Sequence, residues 1–129
     1  MSIKMELIKG QNRKKLAAKI ETKLDEIGSD KIVRVILSES GKLSGNGGLL
    51  ERKIAYIFYT TKAFKRNKGS VVMTELKGQR RTKLMENVAT ELSSIGAENI
   101  VDIVISESGK LSGDGGMFES TRVYIYHVG

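Results

Sequence analysis

The chain has 129 residues, with 22 Lys and Arg against 15 Asp and Glu for a net charge of +7, and it contains no Cys, Pro or Trp. That length makes one compact domain, and the absence of cysteine excludes disulfides and thiolate zinc sites and fits a reducing interior. The apolar runs are too short to cross a bilayer and no leader precedes the first element, so the expectation is a soluble, cytoplasmic protein with no membrane partner.

In chain order, Ser2–Ile8 alternate loosely and are predicted to be a strand. A helix follows, because Leu16, Ile20, Leu24 and Ile27 form one stripe at the helical period. Gly28 stands where a helix end takes a left-handed residue. Lys31–Ser38 is β-branched and too short for a helix, so it reads as a second strand. A glycine-rich stretch, Ser38–Gly48, then turns the chain, and Leu50–Thr60 returns as a third. After a basic linker at 62–69 the order recurs: Val71–Leu76, the stripe Leu84, Val88, Leu92 and Ile95, then Gly96, Asn99–Ser106, Ser106–Gly116 and Phe118–Val128.

The recurrence is a sequence repeat. An offset of 68 residues runs without a gap from Ile3/Val71 to Thr61/Gly129, and 26 of the 59 aligned pairs are identical. The expected fold is α+β: a tandem duplication of a βαββ unit, with antiparallel sheets and both helices packed on one face. The repeats occupy 1–61 and 70–129. A unit of about 60 residues buries only about 60% of its unfolded surface, so the two are expected to share one core or to oligomerise, most simply as a homodimer. Strand faces support this. Val33, Val35 and Leu37 are apolar, and the opposite face, with Ile32, Arg34 and Ile36, is too apolar for open water. Tyr56/Tyr124 share a face with Phe58/Tyr126 and can join such an interface. Arg34 and Asp102 are equivalent positions of opposite charge, placed to pair if the repeats adjoin across a pseudo-dyad.

The order resembles the βαββ unit of dodecins, small proteins that wrap a sheet around a helix and assemble into flavin-binding shells. The likeness is one of topology and covers each repeat separately. The family's stacking tryptophan has no counterpart in a chain without Trp, so neither flavin nor any other cofactor is expected.

Identity between the repeats is concentrated in the loop, which is ordinarily the fastest part to drift. Ser-Glu-Ser-Gly-Lys-Leu-Ser-Gly occurs at 38–45 and again at 106–113. The candidate ligand-binding residues are therefore Ser38, Ser40, Gly41, Lys42, Ser44 and Gly45, with their twins Ser106, Ser108, Gly109, Lys110, Ser112 and Gly113. Glycines let successive N–H groups point into one concavity, and serines and a lysine add hydrogen bonds and charge, as an anion requires. The order is not that of a P-loop, since Gly-Lys is followed by Leu and no helix follows. The competing reading is a long hairpin tip that needs glycines for its turns, with Leu43 and Leu111 packed inward or on a partner.

A second candidate is the start of each helix. Gln11, Arg13, Lys14 and Lys15, and then Gln79, Arg80, Arg81 and Lys83, place cations at the positive end of a helix dipole, which is sensible when a phosphate sits there. The alternative is that Gly10 breaks strand from helix and the long side chains are solvated. The single His127 aligns with Tyr59 and reads as a packed strand residue. No metal set and no nucleophile–base–orienter set stands out, so no catalysis is expected.

Charge is uneven. Met1–Gly69 holds 16 basic and 7 acidic residues, a net +9, whereas Ser70–Gly129 holds 6 and 8, a net −2. The leading expectation is a non-catalytic protein that binds nucleic acid through phosphates without strong sequence specificity, aromatic residues being few. The alternatives are a module holding a nucleotide or other phosphorylated small molecule, which twin loops favour, and a protein-binding inhibitor or scaffold.

Overall fold

The computed structural model describes residues 2–10, 12–43, 49–78, 80–111 and 117–129, with backbone and strand pairing alone for 39–43, 49–52, 81, 107–111 and 117–120. β1 (Ile3–Gly10), α1 (Arg13–Ile27), a 3₁₀ turn (Ser29–Lys31), β2 (Ile32–Leu43) and β3 (Leu49–Thr60) come first. β4 (Val71–Gly78), α2 (Arg81–Ile95), a second 3₁₀ turn (Ala97–Asn99), β5 (Ile100–Leu111) and β6 (Met117–Val128) follow, each boundary 68 residues on. The fold is α+β, with two antiparallel three-stranded sheets ordered β1-β3-β2 and β4-β6-β5.

Both helices end where their sequences stop them. The N–H of Gly28 donates to Leu24 O and that of Gly96 to Leu92 O, each at 2.9 Å. Their φ angles, 97° and 100°, are positive as expected. Their ψ angles, 134° and 132°, lie beyond the left-handed helical well and turn the chain straight into the 3₁₀ segment.

Strand alternation sorts the side chains of the first sheet onto two faces. Glu6 lies 3.9 Å from Lys23 of α1, and Ile8 and Tyr59 line a groove with that helix, so these residues mark the α1 face. The register then puts Ile3, Met5, Ile36, Tyr56 and Phe58 on the far face. That far face is not open. Its residues belong to one core with Leu84, Met85, Val88 and Leu92 of α2 and with Ile100, Ile103, Val123 and Ile125 of the second sheet. A backbone contact fixes the approach: Ile3 N donates to Ser93 Oγ at 2.9 Å.

The expectation of both helices on one face therefore does not hold, because α1 and α2 lie on opposite faces of the first sheet and α2 is shared between the two sheets. The reason is a second apolar row. Leu84, Val88 and Leu92 form the stripe that the repeat preserves, and Met85, Ala89 and Ser93 add a row beside it at the same four-residue spacing. In α1 that second row reads Ala17, Glu21 and Asp25, which cannot enter a core without desolvating two carboxylates. Accordingly α1 buries only Leu16 fully, with Ile20, Leu24 and Ile27 half-buried.

The sheets also meet edge to edge. β2 and β5 come together where each carries a bulge, between Ile32 and Arg34 and between Ile100 and Asp102. Arg34 Nε and Asp102 Oδ1 are 2.9 Å apart, the pairing that their equivalent positions suggest. Both are part-exposed, so the pair contributes at most about 1 kcal/mol and acts chiefly on register.

The linker is a strap across this seam. Phe64 N donates to Asp30 O, and Asn67 N to Glu98 O, and those two acceptors are repeat equivalents. Between them Arg66 donates from Nη1 to Ile100 O (2.7 Å) and from Nη2 to Val33 O (2.8 Å) and Ile32 O (3.4 Å). Its guanidinium lies 5.5 Å from the centroid of the Phe64 ring. Bulges interrupt a ladder, and a planar fork of N–H donors is suited to carbonyls on two strands at once. Arg66→Ala should lower the unfolding free energy by about 1–3 kcal/mol in urea titrations, and Arg66→Lys should restore little of it. Lys65→Ala, on an exposed neighbour, should stay within about 0.5 kcal/mol of wild type.

Candidate functional site

The repeated octapeptide begins inside a strand ladder, not in a loop. β2 and β3 stay paired from Ser38↔Ile54 through Ser40↔Arg52 and Gly41↔Glu51 to Leu43↔Leu49. β5 and β6 do the same from Ser106↔Arg122 to Leu111↔Met117. The loop expected at 38–48 and 106–116 is thereby corrected: Ser38, Ser40, Gly41, Lys42 and Leu43, and Ser106, Ser108, Gly109, Lys110 and Leu111, are strand residues. A row of N–H groups converging on an anion needs a bent backbone, whereas a ladder holds the chain extended and its N–H groups alternate in direction. Any such concavity would have to form at 44–48 and 112–116. Ser44, Gly45, Ser112 and Gly113 lie there, outside the described residues.

The third strand stops short of this ladder. β1 ends at Gly10, opposite Lys53, and β4 ends at Gly78, opposite Thr121. Beyond those pairs each sheet continues as a two-stranded arm of four cross-strand pairs, Ser40↔Arg52 to Leu43↔Leu49 in the first. Where β1 and β4 stop, the helices start. The chain leaves Gly10 and begins α1 at Arg13, and leaves Gly78 and begins α2 at Arg81. Topology thus brings the two motifs that the repeat preserves, arm and basic helix start, to the same end of each sheet. The glycines permit this closeness: a Cβ on Gly10 would lie 3.4 Å from Leu16 Cβ, and one on Gly78 3.1 Å from Leu84 Cβ.

The first turns of α1 and α2 differ chemically. At α1, Asn12 Oδ1 accepts from Lys14 N (3.0 Å) and Lys15 N (3.3 Å), so the side chain already holds amides that a phosphate would need. Contact with an anion there falls to the exposed side chains of Arg13, Lys14 and Lys15. At α2, the capping position is Arg80, which makes no side-chain cap, and Lys83 is exposed. Gln11 and Gln79 lie outside the described residues, as does the Arg81 side chain.

Two features escape sequence reasoning. Lys53 is buried where the first arm leaves the sheet, and its equivalent Thr121 is buried too. The repeat changes this residue, so nothing in the pattern singles it out. The second is an open groove of about 400 Å³ between α1 and β1, lined by Ile8, Ala18, Lys19, Thr22, Lys23 and Glu26, which follows from the incomplete cover that α1 provides. Lys23 there already faces Glu6 at 3.9 Å and Glu26 at 3.5 Å.

His127 is accounted for by its neighbours. Thr74 Oγ1 lies 2.9 Å from Nε2 and Val128 O lies 3.2 Å from Nδ1, an arrangement satisfied when Nδ1–H donates to the carbonyl and Nε2 accepts from the hydroxyl. Among the described residues no group of three or more His, Cys, Asp or Glu is arranged to hold a metal ion. Among them, too, no helix is long and apolar enough to cross a membrane. No protein-family model, curated protein or solved structure matches this chain.

The difference in capping is measurable. Asn12→Ala should destabilise the protein by about 1 kcal/mol, whereas Arg80→Asn should stabilise it by a similar amount, read as shifts of the urea midpoint at constant slope.

Proposed function

We propose that the protein is a non-catalytic binding protein that engages nucleic acid through its phosphates, without strong sequence preference, at the sheet ends where arm and basic helix start adjoin. The observation behind this reading is that shared end: in both repeats the basic helix start and the arm that carries Lys42 or Lys110, separate in sequence, come to the same end of one sheet. A phosphate chain can run past several exposed lysines and arginines, gaining affinity mainly by release of counterions. The Asn12 cap favours this reading over a closed nucleotide pocket, because side chains and not helix amides are left to meet the anion in the first repeat. The contacts proposed are Arg13, Lys14 and Lys15 with Lys42 from the arm, and Arg80, Arg81 and Lys83 with Lys110 in the second repeat.

The linker contributes less than its composition suggests. Arg66 is committed to strand carbonyls although it is exposed, and Lys62, Lys65 and Lys68 are the other exposed cations of that segment. A cytoplasmic location belongs to the same proposal and rests on the composition.

Anisotropy titrations of labelled duplex and single-stranded oligonucleotides across a salt series test the reading. Log affinity should fall linearly with log salt. Replacing Arg13, Lys14 and Lys15 together by Ala should reduce the duplex slope by roughly two to three. The change at Arg80, Arg81 and Lys83 should do less, since the acidic excess of the second half offsets its field. Lys42→Ala and Lys110→Ala should each weaken binding about tenfold or more with unchanged melting temperature. Binding that is absent at low salt, or indifferent to salt, would sink the proposal. Saturation by two mononucleotides per chain without oligonucleotide binding would replace it with the small-molecule reading.

A further inference from the structure

The far face of the second sheet carries an uncovered apolar cluster beside the charged residues Glu75, Lys77, Asp102 and Arg122. Strand register places Val71, Met73, Val104, Tyr124 and Tyr126 on it, opposite the face that packs on α2 through Ile103, Val123 and Ile125. Their repeat equivalents on the first sheet are Ile3, Met5, Ile36, Tyr56 and Phe58, which face α2 in the core. The contrast in exposure is large: Ile3 is 6% exposed and Val71 53%, and Ile36 is 5% exposed and Val104 41%. Met73 is 51% exposed. Both members of each pair are apolar, yet only the first set has a cover. Apolar character held at five positions across a strand face is a patch that a lone chain would leave in water.

We infer that this face is the contact surface of a homodimer, with the second sheets of two copies packed face to face. Three observations select a second copy over other occupants. The first is polarity. The cover used on the first sheet is a helix row of Met85, Ala89 and Ser93, and the equivalent row of α1, Ala17, Glu21 and Asp25, is polar. A head-to-tail stack, in which α1 of another copy caps the face and the series continues as a filament, is therefore disfavoured, and the remaining self-complementary choice is the same face on both copies.

The second observation is charge. The patch is bordered by Glu75 and Arg122, 3.7 Å apart, and by Asp102 paired with Arg34. With exposed Lys77 on the same face, charges of both signs flank the cluster, so that Glu75 of one copy can meet Arg122 or Lys77 of another across a two-fold axis. The third is area. Three strands about 4.8 Å apart and seven residues of about 3.3 Å each make a face of roughly 14 by 23 Å. Two such faces cover about 640 Å² in flat projection, and side-chain relief raises the accessible area they bury toward the roughly 1,200 Å² lower bound of a stable specific interface.

Sedimentation equilibrium of the full chain, without nucleic acid, should give about twice the 14.2 kDa chain mass at micromolar concentration. Met73→Lys should raise the dimer dissociation constant about 100-fold or more while the circular dichroism spectrum stays native, because Met73 is already half exposed in one chain. Ala17→Arg, on the outer row of α1, should leave the dimer intact. For a readout that does not depend on the lysine variant folding, the cysteine-free chain accepts a single Val104→Cys nitroxide label. Sheets about 10 Å apart should then produce strong dipolar broadening that dilution with unlabelled protein removes. A monomer at every concentration, a narrow label spectrum in the dimer, or assembly that Ala17→Arg abolishes would each overturn the inference. A monomer in which Tyr126→Ala abolishes oligonucleotide binding would assign the face to nucleic acid instead. Because the mass and label measurements are made without oligonucleotide, their failure is separate from that of the proposed function.

Discussion

A three-stranded sheet that is apolar on both faces needs two covers, and each βαββ repeat brings one helix. The rest of the structure depends on how that shortage is met. The first sheet takes α1 on one side and α2 on the other, so α2 serves two sheets and the core runs through both repeats. The helix able to do this is the one with a second apolar row, and a single pair of positions decides it: Met85 and Ala89 in α2 against Ala17 and Glu21 in α1. Burying a methionine is favourable by about 1.5–3 kcal/mol, whereas a carboxylate entering the same space unpaired would cost more than that gain. Sequence divergence between two similar helices thus breaks the equivalence of the repeats, and the second sheet is left with an open face.

The seam between β2 and β5 solves a different problem. Two bulges interrupt the ladders near the strand starts and present carbonyls at the sheet edges, where an unpaired acceptor is expensive if buried. Arg66 takes carbonyls from both strands, and its neighbours Phe64 and Asn67 tie the strap to Asp30 and Glu98. What composition presents as a basic linker is, at this residue, a cross-brace. The +9 charge of the first half therefore overstates the cations free to meet a partner.

The candidate site has a simple geometric origin. β1 and β4 are shorter than the strands they pair with, so each sheet narrows to an arm at the end where the chain turns into its helix. The positive end of each helix dipole and its first-turn cations, which follow one edge strand, lie at the same end of the sheet as the arm lysine on the opposite edge strand. The two helix starts are alike in charge and unlike in capping, since Asn12 closes one and Arg80 leaves the other without a side-chain acceptor.

Much of this is present in the sequence. The 68-residue offset determines that the two halves carry the same elements at the same boundaries, and local chemistry determines where each helix stops: Gly28 and Gly96 take φ values that other residues avoid. The Arg34–Asp102 pair follows from equivalence and opposite charge. Sequence reasoning places the octapeptide in a loop because Ser, Gly and Lys are weak strand formers by composition, and local composition cannot register that a partner strand is available to pair with them. Nor does the stripe at Leu16 and Leu84 tell the helices apart, since it is the same in both. Which faces are covered depends on the row beside that stripe and on where the other sheet lies. Those are contacts between residues some 90 positions apart, such as Ile3 with Ser93. Periodicity reports which side chains share a face. Only the folded chain decides what that face meets.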